Sequence, residues 1–320
     1  MSTVLPSEAD DPGAPLTDIE ELIEYFRSAE KPRARFRVGT EHEKFGFVRA
    51  DHRPLPYFGD NGIEALLHAI AADEGELQGG GWTKVTDGGH TIALARVDAA
   101  ITLEPGGQLE LSGAPLATVH ETAAELEQHL ALLRRLCAPR GIGFIGMGFH
   151  PTARLDELPT VPKARYAVME RYMRKVGSRG LDMMKRTPTV QANYDWADEA
   201  DMAQSFAVAL RAAPLVAALF AASPFVEGKP SGALSERQRV WIDTDQRRAG
   251  FPAAVLEPGF GYRRWLDTVL DVPMYFVRRD GRHHDVAGAS FRTFMTDGLD
   301  VGGARVRATL RDFADHLTTV

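Results

Sequence analysis

Apolar residues recur three and four apart at Ile19, Leu22, Ile23 and Phe26, the spacing of one helix face. A first helix is predicted over 17–29, opened by Thr17 with Glu20 three positions on, in the form of a capping box. After Lys31-Pro32 the segment 36–48 is rich in Phe, Val and Thr and reads as a strand. Ile63, Leu66, Leu67 and Ile70 mark a second helix beyond the turn region around Gly59 and Gly62. The period then changes. Segments 82–86, 91–97, 99–104 and 108–112 are short, β-rich and separated by DGG, a lone Asp and PGG, which predicts an antiparallel meander and not strand–helix–strand units. A long amphipathic helix over 118–137 leads into GIGFIGMGF. Helical patterns return at 165–176, 198–222, 235–242 and 262–270, with strands at 189–196 and 274–278. No repeat of solenoid period and no low-complexity linker interrupts this order, so the expectation is a single α+β domain over 17–320. The acidic, Pro-containing residues 1–16 read as a disordered lead-in without the basic-then-apolar order of a secretory signal.

Composition narrows the function classes. The chain has 320 residues and a formal charge of -7, with no Lys/Arg cluster that would track a phosphate backbone, so no nucleic-acid partner is expected. No membrane partner is expected either, because even the Ala-rich run 207–222 contains Arg211 and Pro214. Cys137 is the only cysteine. That excludes an internal disulfide or a multi-cysteine metal site and predicts a cytoplasmic, reducing location. Cys137 falls in line with Leu126, Leu130 and Leu133, which predicts a buried, inert thiol.

The candidate chemistry lies in three strand segments. In GTEHEKFGF, Glu41 and Glu43 are two apart and share a strand face, while His42 and Lys44 take the other. In LEPGGQLELSG, Glu104 ends one strand and Glu110 lies in the next, sharing a face with Gln108. Carboxylates crowded on one face stay ionised together only with cations among them, and oxygen-only ligands suit magnesium. In TVQANYDW, Gln191, Asn193 and Asp195 share a face opposite Val190, Ala192 and Tyr194 and offer amide donors and acceptors to a ligand.

GTEHEKFGF, ITLEPGGQLELSGAP, LDMMKRTPTVQANYDW, RVWIDTDQRRAGF and DVPMYFVRRDGR, in this order, resemble the plant and proteobacterial type of glutamate–cysteine ligase over about 18–320. The resemblance implies a glutamine-synthetase-like curved, mainly antiparallel sheet with packed helices. It also implies an ATP- and magnesium-dependent activity that joins L-glutamate to L-cysteine through a γ-glutamyl phosphate, the first step of glutathione biosynthesis. Glu41, Glu43 and Glu110 match metal ligands, with Glu104 as a further acid of the same site. Gln191 and Asn193 match positions facing metals and glutamate. Arg186, Arg237 and Arg248 match family arginines and are assigned to anions, which guanidinium forks suit. Trp241 and Tyr275 fall inside matched motifs and are candidate substrate contacts. The resemblance further implies a C-terminal part with a Leu-Glu-x-Arg strand that this sequence does not contain. A non-catalytic member binding nucleotide or glutamate, and a γ-glutamyl ligase with another acceptor amine, stand open beside the ligase reading.

Three other features are set aside. Gly141, Gly143 and Gly146 satisfy GxGxxG, but a helix precedes them where a dinucleotide fingerprint needs a strand, so a glycine-spaced, closely packed strand is expected. His283-His284 lies in RRDGRHHD, which reads as a hairpin tip with solvated histidines. Pro188 removes a backbone donor, as a strand start or an edge tolerates.

Overall fold

The computed structural model describes residues 13–73 and 81–320. The chain opens with helix α1 (Ile19–Ser28), whose cap is Asp18 with Glu21 in place of Thr17 with Glu20. Glu21 still accepts from the Thr17 N–H and hydroxyl, at 2.7 and 2.9 Å. The ordered chain begins before residue 17: Leu16 is buried and donates its N–H to Ala308 O at 2.8 Å. The remainder of the expected lead-in, residues 1–12, lies outside the described residues.

The centre is a fully antiparallel sheet of β1 (Val38–Val48), β2 (Thr83–Asp87), β3 (His90–Ala95), β4 (Ala100–Leu103), β5 (Leu109–Ser112), β6 (Ile142–Ile145) and β7 (Val190–Tyr194). Its order is β2-β3-β4-β5-β1-β6. The 11-residue β1 organises it. One edge pairs with β5, while the other is shared end to end by β7, against Val38–His42, and β6, against Phe45–Val48. This is the α+β class and antiparallel sheet that the sequence pattern predicts.

One face of the sheet is apolar. Ile101, Leu103, Leu109 and Leu111 are buried against α2 (Ile63–Ala71) and α3 (Val119–Cys137), through Leu66, Leu67 and Leu133. Each such side chain contributes about 1.5–3 kcal/mol of burial. Cys137 belongs to this cluster, and burial pushes its thiol up to about 11, as an inert cysteine requires. The glycine-spaced strand is β6, where a Cβ on Gly143 would stand 2.4 Å from the Phe47 ring.

A second apolar cluster joins α1 to α8 (Tyr262–Asp271), α9 (Phe291–Asp297) and α10 (Leu310–Leu317) through Leu22, Leu266, Phe291 and Phe313. Beside it stand β10 (Phe276–Arg279) and β11 (Arg282–Asp285), a hairpin closed by Asp280 and Gly281 at φ 49° and 68°. The smaller hairpins β8 (Phe225–Val226) with β9 (Lys229–Pro230) and β12 (Leu299–Val301) with β13 (Ala304–Val306) complete the strands. His283 and His284 are half-buried, contrary to the solvated tip expected, because His283 packs edge-on to Phe276 at 4.7 Å and His284 lies against Gly302.

The helix α6 (Glu199–Leu219) has no buried residue. Among the described residues it is long and apolar enough, by length and composition, to cross a membrane. The expectation that Arg211 and Pro214 disqualify the Ala-rich run is therefore corrected: they interrupt it without lowering its apolar content enough. Its first half is tied to the fold by Glu199, which accepts the Tyr262 N–H at 2.7 Å, and by Phe206 against Phe260 and Trp265.

Helices α4 (Ala164–Val176) and α5 (Gly180–Arg186) meet α7 (Glu236–Ile242) at Gly177, where a Cβ would fall 1.9 Å from the Thr244 carbonyl oxygen. A backbone oxygen cannot withdraw, so Gly177→Ala is expected to destabilise the protein by about 3 kcal/mol in urea unfolding. Gly250→Ala, whose Cβ would meet only Gln246 O at 3.5 Å, should stay within about 0.5 kcal/mol.

Candidate active site

The cross-strand register places Glu43 opposite Glu110, Glu41 opposite Ser112 and, on the other side of β1, Glu41 opposite Gln191 and Gly39 opposite Asn193. Glu110 in turn faces Thr102, and Glu104 follows Thr102 by two residues. Directly opposed residues share a sheet face with Cβ atoms about 5 Å apart. Glu41, Glu43, Glu104, Glu110, Gln191 and Asn193 are therefore carried on one face, as the two-residue periodicity predicts, and the leucines alternate onto the other.

Each acid has its own surroundings. Glu41 accepts from Asn193 Nδ2 at 3.1 Å, and Gln191 Nε2 donates to Asn193 Oδ1 at 3.0 Å. Glu43 accepts the Thr189 N–H at 3.1 Å, while Glu110 accepts the Ser112 hydroxyl. Burial, then the charges of Glu104 and Glu110, push the Glu43 carboxyl up to about 9. Burial and Glu110 raise Glu41 and Glu104 as well. With the acids drawn to separate donors, no three His, Cys, Asp or Glu side chains among the described residues are arranged to hold a metal ion. Gln108, although it shares their parity, is structural: its Nε2 donates to Met184 O and Thr187 O at 3.2 and 3.1 Å.

Cations border this face at positions that motif reading passed over. Lys163 is buried, donates to Leu103 O at 2.6 Å and lies within reach of the Glu104 and Glu110 charges, with burial pushing its amine down to about 8. Behind the sheet, buried Lys44 donates to His42 O at 2.7 Å, and burial pushes it to about 8 against the pull of Glu110 and Glu43. Neither lysine carries a sequence signal beyond its charge, because its burial follows from the packing of α4 and α3.

The arginines divide. Phe45, two residues on from Glu43, packs against His150 with ring centres 4.5 Å apart and planes tilted by 58°. His150 donates its N–H to Arg186 O at 2.8 Å, and Arg186 lies 4.5 Å over the Phe149 ring. Arg186 is buried, with Nη1 on Asp182 at 3.1 Å, and its Nε and Nη2 meet no acceptor. Arg237 lies near enough to Glu43 for their opposite charges to attract, stands 5.5 Å over the Trp241 ring, and also leaves its buried Nε without an acceptor, as does the Trp241 indole N–H. A Cβ on Gly148 would come 3.5 Å from Arg237 Cβ, so the glycine-rich stretch after α3 serves close packing here.

Arg248 and Tyr275 stand elsewhere, contrary to the sequence expectation. Arg248 donates from Nε to Thr319 O at 2.6 Å, from Nη1 to Asp245 at 2.7 Å and from Nη2 to Pro273 O. Its guanidinium covers the Tyr275 ring at 4.0 Å. Tyr275 is 2% exposed in the cluster of Tyr172, Met173 and Met184. With every guanidinium nitrogen engaged internally, Arg248 joins chain segments and has no nitrogen left without a partner for a substrate. An open cleft of about 870 Å³, lined by Arg53, Tyr57, Glu157 and Thr160 among others, includes none of the expected site residues.

A family model described as glutamate-cysteine ligase family 2 matches residues 37–320. The chain is 47% identical over 306 residues to a chloroplastic glutamate–cysteine ligase of Brassica juncea, covering 96% of this chain and 57% of that protein. The corresponding protein of Nicotiana tabacum is 47% identical over 307 residues, covering 96% and 56%. That of Arabidopsis thaliana is 45% identical over 306 residues, covering 96% and 56%. The chain thus spans under three fifths of the length of these relatives. Their chloroplastic location overturns the cytoplasmic one expected above. A lone cysteine speaks against an internal disulfide and does not tell one compartment from another.

Two outcomes follow from this geometry. Arg248→Met should cost about 3–5 kcal/mol in chemical unfolding, because the Asp245 carboxylate, 2% exposed, loses its cation. In chelator, stability should fall between pH 6.5 and 8. Glu43, with its folded value raised from about 4.3 in the unfolded chain, contributes in full below the unfolded value and loses that contribution as the pH climbs toward about 9. The slope for one such group reaches about 1.4 kcal/mol per pH unit. Below that window the buried His129, His150 and His316, all pushed down by burial, act in the opposite sense, and above it Lys44 and Lys163 begin to titrate. Glu43→Gln should flatten the slope, and a wild-type midpoint that climbs through the window would contradict the raised carboxyl.

Proposed function

The chain belongs to glutamate-cysteine ligase family 2, and from that premise we propose that it ligates the γ-carboxylate of L-glutamate to the amine of L-cysteine using ATP. The reading is supported above all by one observation: acids on β1 and β5, with Glu104 just past the end of β4, share a sheet face, and Arg237, whose charge interacts with Glu43, has a buried Nε that no protein acceptor meets. Oxygen-only donors crowded with like charge fit magnesium. Glu41, Glu43, Glu104 and Glu110 would hold it only with carboxyls turned away from the Asn193, Thr189 and Ser112 donors that three of them meet here, and it would then neutralise charge on phosphoryl oxygens.

The protein groups then have distinct tasks. Arg186 binds anionic oxygens through its free Nε and Nη2 hydrogens and Arg237 through its free Nε, with Trp241 adding one N–H. Gln191 and Asn193 orient the glutamate beside Glu41. A carboxylate oxygen of glutamate attacks the γ-phosphorus of ATP, the bond to ADP breaks, and the resulting acyl phosphate loses phosphate when the cysteine amine attacks its carbonyl carbon and gives up a proton. The protein supplies position and charge and no covalent nucleophile. A second reading, binding of nucleotide or glutamate without turnover, draws on the absence of a three-acid metal cluster among the described residues.

Purified chain supplied with magnesium, ATP and glutamate is expected to release ADP only when cysteine is added. Glu110→Gln should lower kcat at least 100-fold with unchanged circular dichroism, the scale of one electrostatic group at a transition state. Folded wild-type protein that binds ATP or glutamate in calorimetry without turnover would exclude the ligase and support the second reading.

A further inference from the structure

The hairpin of β8 and β9 links the two arginines that keep free donors. At its root, Ser223 Oγ accepts the Arg237 N–H at 3.1 Å, and the Ser223 carbonyl accepts the Glu236 N–H at 2.9 Å. At its tip, the Gly228 N–H donates to Pro151 O at 2.9 Å, which fixes the turn beside the segment carrying His150. The Glu227 carboxylate then comes 3.5 Å from Arg186 Nη1. Arg186 is in turn close to the acid face. Thr189, three residues on, donates its N–H to the Glu43 carboxylate at 3.1 Å and accepts the Glu43 N–H at 3.0 Å, and three residues span at most about 11 Å.

Glu227 is out of place in this turn. Val226 pairs with Lys229, so Glu227 and Gly228 form a two-residue loop, and both hold a left-handed backbone, at φ 51° and 77°. Such a loop favours Asn, Asp or Gly at its first position, and Glu is strained there. Nothing within the fold accounts for the carboxylate. It is exposed, accepts no hydrogen bond among the described residues, and is not needed to neutralise Arg186, whose Nη1 already meets Asp182 at 3.1 Å.

An α-amino acid carries a carboxylate and an ammonium on one carbon. Arg186 and Glu227 present the complementary pair: a guanidinium whose Nε and Nη2 meet no acceptor, and a carboxylate on its Nη1 side. A phosphate group would gain nothing from an acid so close and would be repelled by it. We propose that Glu227 accepts the α-ammonium group of bound L-glutamate, whose α-carboxylate lies on Arg186 while its side chain runs toward the acids of β1 and β5. The assignment rests on the proposed function for the identity of the ligand, and not on turnover. Glu227 then sets specificity by attraction and repulsion together, since an anion that brings no ammonium meets an uncompensated carboxylate.

The test is calorimetric binding of L-glutamate, and of glutarate as the same dicarboxylate without the amine, to the full chain in magnesium. The wild-type chain is expected to prefer L-glutamate by about tenfold or more, the scale of one charge-assisted contact. Glu227→Gln should remove that preference by weakening L-glutamate and leaving glutarate unchanged or tighter. Glu227→Asn, which suits the turn better, should give the same loss with an unfolding midpoint no lower than that of the wild type. Equal weakening of both ligands would mark Glu227 as structural, and equal tightening would mark it as a counter-ion that any anion displaces. Either result overturns the proposal, as does a wild type that binds neither ligand or shows no preference, or a variant that keeps the preference. A chain that shows the preference but releases no ADP would defeat the ligase reading alone.

Discussion

Like charge held on a rigid surface is the constraint around which this molecule is arranged. Glu41, Glu43 and Glu110 are fixed by the β1–β5 ladder, and they cannot separate without breaking it. The protein relieves the repulsion in two ways. It raises carboxyl proton affinity at Glu41, Glu43 and Glu104, and it packs cations close by, with Lys163 beside Glu104 and Lys44 behind the sheet. Both are costly in a buried setting, and neither would be needed on an ordinary solvated strand face.

The apolar face of the same strands makes that arrangement affordable. Ile101, Leu103, Leu109 and Leu111 alternate with the acids and anchor the sheet on α2 and α3. Local pattern and site are thus one feature: the residue parity that buries the leucines presents the carboxyls. The arginine side of the site is built differently. Arg186 is joined to β1 through His150 on Phe45, while Arg237, whose charge acts on Glu43, arrives on α7, which Gly177 allows to close against the turn between α4 and α5.

The half-covered elements follow the same logic in reverse. Strand β7 carries Gln191 and Asn193 on the acid face and, among the described residues, pairs with β1 alone, and α6 has no buried residue.

The fold class, the meander and the shared face of the acids were legible in the sequence because they rest on a two-residue period that survives any tertiary arrangement. The same holds for the inert Cys137 and the hairpin at Asp280-Gly281. Tertiary structure alone decided which cations and arginines meet the acids. Arg186, Arg237 and Arg248 look alike as residues in motifs, but Arg248 finds Asp245, Thr319 and Pro273 and is fully engaged, whereas the other two keep free donors. Lys163 and Lys44 could not be recognised as counter-charges before packing buried them. Periodicity is a property of neighbours along the chain, whereas the meeting of Lys163 with Glu104, or of Arg237 with Glu43, depends on residues far apart in sequence that the core brings together.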